Sequence, residues 1–328
     1  MIVGCGMMAG GYDLDANGAP KPGGGWATHA AVCHAHNDFE LTCFIDVKKE
    51  QRELFSKAWP VSSTFATVQA ALAEGIDFDI AIISSPTASH ADVLETLLQS
   101  SVRAVLCEKP LTEVLEHAQK MVAAYEDHNI PLAVNFTRRW NPDVRALKHA
   151  IADDAWGRAI GFTGSYTGGF LHNGSHMMDL LLFLLGGISN HQALNFQLRG
   201  AHDGDIDVWL EMENGATGLV ASRDRAAISA FELEMWFEQG VITLKDWGRV
   251  IETRRGTPSP FIPDRLELGG AQLIKTKWKH SLQTVLENVR DAVRDGALLE
   301  CSGKAALVTQ TVCENIFTQA FNSIGRST

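Results

Sequence analysis

Residues 2–10 read Ile2-Val3-Gly4-Cys5-Gly6-Met7-Met8-Ala9-Gly10. Gly4, Gly6 and Ala9 match G-x-G-x-x-G/A, the spacing of a strand-turn-helix junction that binds a dinucleotide. The first glycine permits the tight turn, and the second lets a pyrophosphate approach the backbone. The small third residue lets helix pack on strand. Met7 and Met8 sit in the same turn and belong to the candidate contact surface. A lone match of this kind is as often a plain glycine-rich turn, so its context decides.

The context is a β-like run over 41–45 that ends in Asp46. A carboxylate there accepts hydrogen bonds from ribose hydroxyls and repels a 2'-phosphate, which favours NAD over NADP. Lys48 and Lys49 weaken that preference. Asp46 lies 36 positions beyond Gly10, where about 20 is usual. The stretch 13–25, with its Gly-Ala-Pro-Lys-Pro-Gly-Gly-Gly core, cannot be helix and accounts for the excess. It reads as an insertion within or just before the first helix, which then resumes near Trp26.

Further along, short β-branched runs at 80–83, 102–106 and 132–134 alternate with helical spacing at 51–58, 68–74, 91–98 and 113–127. Alternating strands and helices predict a parallel sheet covered on both faces. After residue 145 the texture changes to one strongly apolar helix, 175–185, followed by alternating runs at 205–212, 216–222, 230–237 and 240–245. These read as an antiparallel meander, and 254–270 reads as a loop. The expected plan is an α/β Rossmann domain over 1–137. An α+β domain with an open, largely antiparallel sheet follows over 138–328, its last helix, about 303–322, packing back on the first.

The chain has 328 residues, 45% hydrophobic and 20% charged, enough for two cored domains. With 28 Lys plus Arg against 39 Asp plus Glu, the formal charge is −11, which argues against nucleic acid or an anionic membrane as partner. Apolar runs are far shorter than a bilayer requires. The six cysteines form no C-x-x-C pair, so reduced thiols in a cytoplasmic protein are expected.

Two more segments carry chemistry. Ser84-Ser85-Pro86-Thr87-Ala88-Ser89-His90 and Cys107-Glu108-Lys109-Pro110 each end a predicted strand, the edge where ligands bind in open α/β sheets. Together with Gly4-Cys5-Gly6, Arg138-Arg139-Trp140-Asn141-Pro142 and Gly174-Ser175-His176 through Asp179, they resemble the glucose–fructose oxidoreductase/inositol dehydrogenase (Gfo/Idh/MocA) family. The motifs fall in the family's order over residues 1 to about 190.

The resemblance implies a nicotinamide-dependent oxidoreductase acting on a sugar, inositol or sugar nucleotide. It also implies a homodimer or homotetramer formed through the second domain's sheet. Lys109 matches the family lysine beside the nicotinamide and the reacting hydroxyl, and His176 matches the general acid/base. Four residues before that histidine the family commonly has Asp; here it is His172, which relays a proton or contacts substrate. Ser85, Pro86, Thr87, His90 and Glu108 join the candidate cofactor contacts.

On the substrate side, Arg138 and Arg139 could meet an anionic group or form structural ion pairs. Trp140 stacks on a sugar or simply packs. Asn173 is the expected N-cap of the apolar helix, and Asp179 either orients His176 or is a core residue. His172 with His176, and His29 with Cys33, have the spacing of metal pairs but lack a third ligand, so no metal is expected. The alternative reading is a dinucleotide- or sugar-binding regulatory protein that keeps the fold without turnover.

Overall fold

A computed structural model describes residues 1–22, 27–199, 203–224 and 226–324. Two compact units divide the chain, Met1–Trp140 with Lys279–Val308, and Asn141–Trp278 with the segment from Thr309 on. Segment 279–308 joins the first unit for a physical reason. Its helix buries Leu282, Val285, Leu286 and Val289 in that unit's core, and Ser302 bridges to Ala133.

The first unit holds strands β1 (Ile2–Val3), β2 (Cys43–Ile45), β3 (Ser63–Phe65), β4 (Ile80–Ile83), β5 (Ala104–Glu108) and β6 (Leu132–Asn135). All pair in parallel in the order β3-β2-β1-β4-β5-β6. Its helices are α1 (His29–Ala35), α2 (Lys49–Ala58), α3 (Val68–Ala73), α4 (His90–Leu98) and α5 (Leu115–Asp127). Central strands this apolar, buried on both faces, are what a parallel sheet requires. The strand order reverses between β1 and β4, so a crevice opens beyond their carboxyl ends.

The insertion is spliced into the first helix. After Gly6 the chain makes one wide turn, with Gly10 N–H and Gly11 N–H both donating to Gly6 O, and then leaves as a 3-10 turn. Asp15 organises the excursion by accepting from Asn17 N–H and Ala19 N–H, and Leu14 bridges to Pro20. The chain returns at Thr28, whose buried hydroxyl donates to Asp13 at 2.7 Å. His29 N–H and Ala30 N–H then donate to Met8 O and Ala9 O, so the helix resumes on the carbonyls it left. The expected restart at Trp26 falls outside the described residues; the described helix begins at His29.

The second unit contains α6 (Pro142–Ala152), β7 (Ala159–Thr167), α7 (Ser175–Leu185), β8 (Ile188–Arg199), β9 (Asp203–Met212), β10 (Thr217–Arg223), β11 (Phe231–Phe237), β12 (Gly240–Lys245), β13 (Val250–Pro258), β14 (Leu266–Leu268) and β15 (Gln272–Lys275). The sheet order is β14-β13-β12-β11-β7-β10-β9-β8, with β15 on β13. It is mixed, because β7 enters its centre parallel to β10. The stretch 254–270 is a correction to the expected loop, since β13 extends into it as far as Pro258 and pairs there with β14.

Alternation places Ile206, Val208, Leu210, Phe231, Leu233 and Met235 in the core under α6 and α7. The intervening residues, among them Trp209, Leu219 and Trp236, stand on the other face of the sheet. The remaining helices, α8 (Ser281–Asp295) and α9 (Gly303–Ile324), close the chain. Among the described residues no helix is long and apolar enough to cross a membrane.

Candidate cofactor and substrate sites

Gly4 ends β1 with φ +89°, and its N–H donates to Ile45 O at 2.7 Å. A Cβ there would collide with the backbone of Ser84 and Ser85 at the end of the neighbouring β4, so both the dihedral and the space demand glycine. Gly6 is different. It is exposed, and a Cβ would meet only Ser84 O at 3.9 Å, which leaves an open shelf beside the turn. Met7 is exposed beside it, whereas Met8 packs on the core.

The Asp46 carboxylate braces this turn from the end of β2. One oxygen accepts from Cys5 N–H at 2.8 Å and the other from Lys48 N–H at 2.8 Å. A carboxylate oxygen has two acceptor directions, so each keeps one for a ligand hydroxyl. Lys49 is drawn toward Glu53 at 3.6 Å, and Arg52 donates to the Asp46 carbonyl. Burial beside Asp46 pushes the Cys5 thiol up to about 12, so it stays neutral in the turn. An exposed glycine shelf beside a half-occupied carboxylate fits the pyrophosphate and ribose of a dinucleotide.

Ser85, Pro86 and Thr87 follow β4, with Ser85 and Ser89 hydroxyls 2.7 Å apart. His90 is buried and ties two strand ends together, its Nε2 lying 2.9 Å from Ser85 O and its Nδ1 3.0 Å from Pro110 O. Glu108 ends β5. Its Oε1 accepts from the Asn135 amide at 2.7 Å and lies 2.8 Å from His29 Nε2. Burial pushes the Glu108 carboxyl up, but His29, Asn135 and the Lys109 charge outweigh it and hold it below the usual range. Lys109 is partly exposed at the same carboxyl edge.

In the second unit, Gly168 and Gly169 turn the chain with positive φ into a wide five-residue helical turn, Phe170–Gly174, that runs straight into α7. Asn173 is therefore inside helical structure. It is no N-cap, and its side chain donates back to Thr167 O at 2.6 Å. The turn is braced by Asp203, whose carboxylate accepts from Leu171 N–H at 2.9 Å and His172 N–H at 3.1 Å. His172 is exposed and His176 partly so, while Met177, Leu180, Leu181 and Leu184 face the core.

Three candidates are buried. Trp140 is fully buried in the first unit's core, with its indole N–H directed at Val134 O, so no ring face is left for a sugar. Arg139 is 6% exposed and donates to Glu300 O. Asp179 is 1% exposed and accepts from the Thr309 hydroxyl at 3.2 Å. Arg138 remains partly exposed. Among the described residues no group of three or more His, Cys, Asp and Glu side chains could hold a metal ion.

Sequence reasoning missed His29, Asn135 and Asp203 as members of these sites. Asn135 could have been found, since it ends a predicted strand beside the one that ends in Glu108.

A family model described as "Oxidoreductase family, NAD-binding Rossmann fold" matches residues 23–136. D-apiose dehydrogenase of Paraburkholderia graminis is 28% identical over 68% of this chain and 67% of its own length. Inositol 2-dehydrogenase of Rhizobium meliloti is 22% identical over 87% of this chain and 91% of its own. An oxidoreductase from Agrobacterium radiobacter, solved with NAD+, L-tartaric acid and magnesium, superposes with a TM-score of 0.77 at 19% identity. That match covers 98% of this chain and 96% of the other. The glycine turn, the strand order and these likenesses converge on a first unit similar to the NAD-binding Rossmann domain of Gfo/Idh/MocA oxidoreductases.

Proposed function

We propose that this protein is an NAD-dependent dehydrogenase or reductase acting on a CH–OH or carbonyl carbon of a sugar, inositol or sugar nucleotide. The observation that carries the reading is one sheet edge holding the Gly6 shelf, the braced Asp46 carboxylate and Lys109. Gly4, Gly6, Asp46, Ser85, Pro86 and Thr87 would hold the dinucleotide. NAD is preferred to NADP because a 2'-phosphate would face the Asp46 charge. A bound nicotinamide supplies the hydride acceptor or donor. Lys109 polarises the reacting oxygen and His176 moves its proton, with His172 as a second imidazole near the same turn. Proton and hydride removal are coupled because a free alkoxide is too costly to form near neutral pH.

Arg138 is the candidate contact for an anionic substrate group. The exposed sheet face with Leu219 and Trp236 is the candidate self-association surface, read by light scattering. All six cysteines are free and buried, which suits a reducing cytoplasm.

The test is a turnover screen with NAD+ across sugars, inositols and sugar nucleotides, run beside Lys109→Ala. Loss of roughly 10²–10⁴-fold in kcat with cofactor binding intact is expected. Cofactor binding without turnover across the panel would favour the regulatory-protein reading.

A further inference from the structure

The insertion changes what stands at the start of α1. By returning at Thr28, pinned to Asp13, it delivers His29 as the first helical residue, 1% exposed, against a carboxylate it has no local reason to meet. Glu108 and Asn135 are register partners across β5 and β6, so the amide reaches the carboxylate without any reorganisation. His29 approaches the same oxygen from the helix. Two donors on one oxygen fix the carboxylate's rotamer as well as its charge. We infer that His29 is a positioning residue that, with Asn135, clamps the Glu108 carboxylate beside Lys109. The insertion is what brings that clamp to the nicotinamide edge.

The groups around this carboxylate leave few alternatives. Lys109 is the neighbouring cation on the same strand end, and β6 contributes only the neutral Asn135 amide. Cys107 stays a neutral thiol, its burial raising it well above the usual range. On α1 the next residue on this face, Cys33, is likewise pushed up to about 12 by burial. Asp13 is engaged by Thr28. Helix α8 packs on β5 and buries Leu282, Val285 and Leu286. A clamped, ionised Glu108 therefore sets a fixed negative charge on the strand end that carries Lys109.

The inference deepens the proposed reaction and rests on Lys109 as the group at the reacting oxygen. It is tested with His29→Leu, His29→Gln and Glu108→Gln in the full chain. The ¹³C carboxyl signal of Glu108, assigned by its loss in Glu108→Gln, should titrate below 4.5 in the wild type. In His29→Leu it should move up by about one pH unit or more. His29→Leu should lower kcat about 10–100-fold with nicotinamide affinity within twofold, and His29→Gln, which keeps a donor, should restore most of it. An unmoved Glu108 titration overturns the inference. So does a His29→Gln no better than His29→Leu, or a fall in kcat and cofactor affinity together, since either marks a merely structural histidine. Absence of wild-type turnover, with the Glu108 shift still present, would overturn the assigned reaction and leave the clamp standing.

Discussion

Two turns in this molecule are built on the same principle and differ in what is left over. The glycine turn of the first unit is braced by Asp46, and the wide turn of the second unit by Asp203. In both, a carboxylate from a strand end accepts backbone N–H groups of the turn. Asp46 takes one N–H of the turn and one of its own loop, so each oxygen retains an acceptor direction for a ligand. Asp203 takes Leu171, His172 and Gly204 N–H groups. Its Oδ1 takes two of them and its Oδ2 the third, so it holds the backbone of the turn that carries His172 and leads to His176. Asp46 keeps two acceptor directions, one on each oxygen, whereas Asp203 keeps one and spends three on the backbone.

The sharpest way to break that comparison is at the glycines beneath each turn. Gly4→Ala puts a methyl into the Ser84–Ser85 backbone at φ +89° and should cost roughly 2–3 kcal/mol by urea unfolding while abolishing cofactor binding. Gly169→Ala, at φ +91°, drives its methyl into the Asp203 carboxylate and should cost a similar amount yet leave NADH affinity unchanged. Equal loss of NADH binding in both would mean that the two turns are not separate devices.

A smaller effect separates the braces themselves. Asp203→Ala leaves N–H groups of the turn without their acceptor and should cost about 1–3 kcal/mol, with kcat falling and NADH affinity held. Acid should reveal the Glu108 contribution next. Its carboxyl is held below its ordinary value of 4.5, so the stabilisation is complete above that pH and fades as the pH falls through the lower folded value. Glu108→Gln should flatten that limb of an acid-unfolding curve. The smallest effect is at the thiols. With all six buried, an aromatic disulfide reagent at pH 8 should react slowly with the folded chain and fully in guanidinium.

The first turn was legible because local signals specify it. A glycine spacing, an apolar run ending in Asp46 and a strand ending in Glu108-Lys109 are each written within a few residues. The second turn was not, because its brace comes from β9, a strand whose start lies 31 positions beyond His172. Strand β7 went unread since Gly161 and Gly164 dilute its β character, although its central place makes β10 parallel to it. Strand β8 was missed for the opposite reason, a polar sequence lying half-exposed at the sheet edge. His29 could not have been placed, because its partner depends on where the insertion returns the chain. Trp140 looked available to a sugar in sequence and is core in three dimensions, since the strand before it folds the indole back onto Val134 O.

The central claim is that the first unit's edge binds a dinucleotide through the Asp46 brace. Titration of nicotinamide fluorescence with NADH and NADPH, on the wild type and Asp46→Ala, tests it most directly. The account predicts tight NADH and weak NADPH binding to the wild type. It predicts about a tenfold or greater loss for NADH in Asp46→Ala, with discrimination between the two cofactors erased. Equal affinity for both in the wild type, unchanged by the substitution, would contradict it.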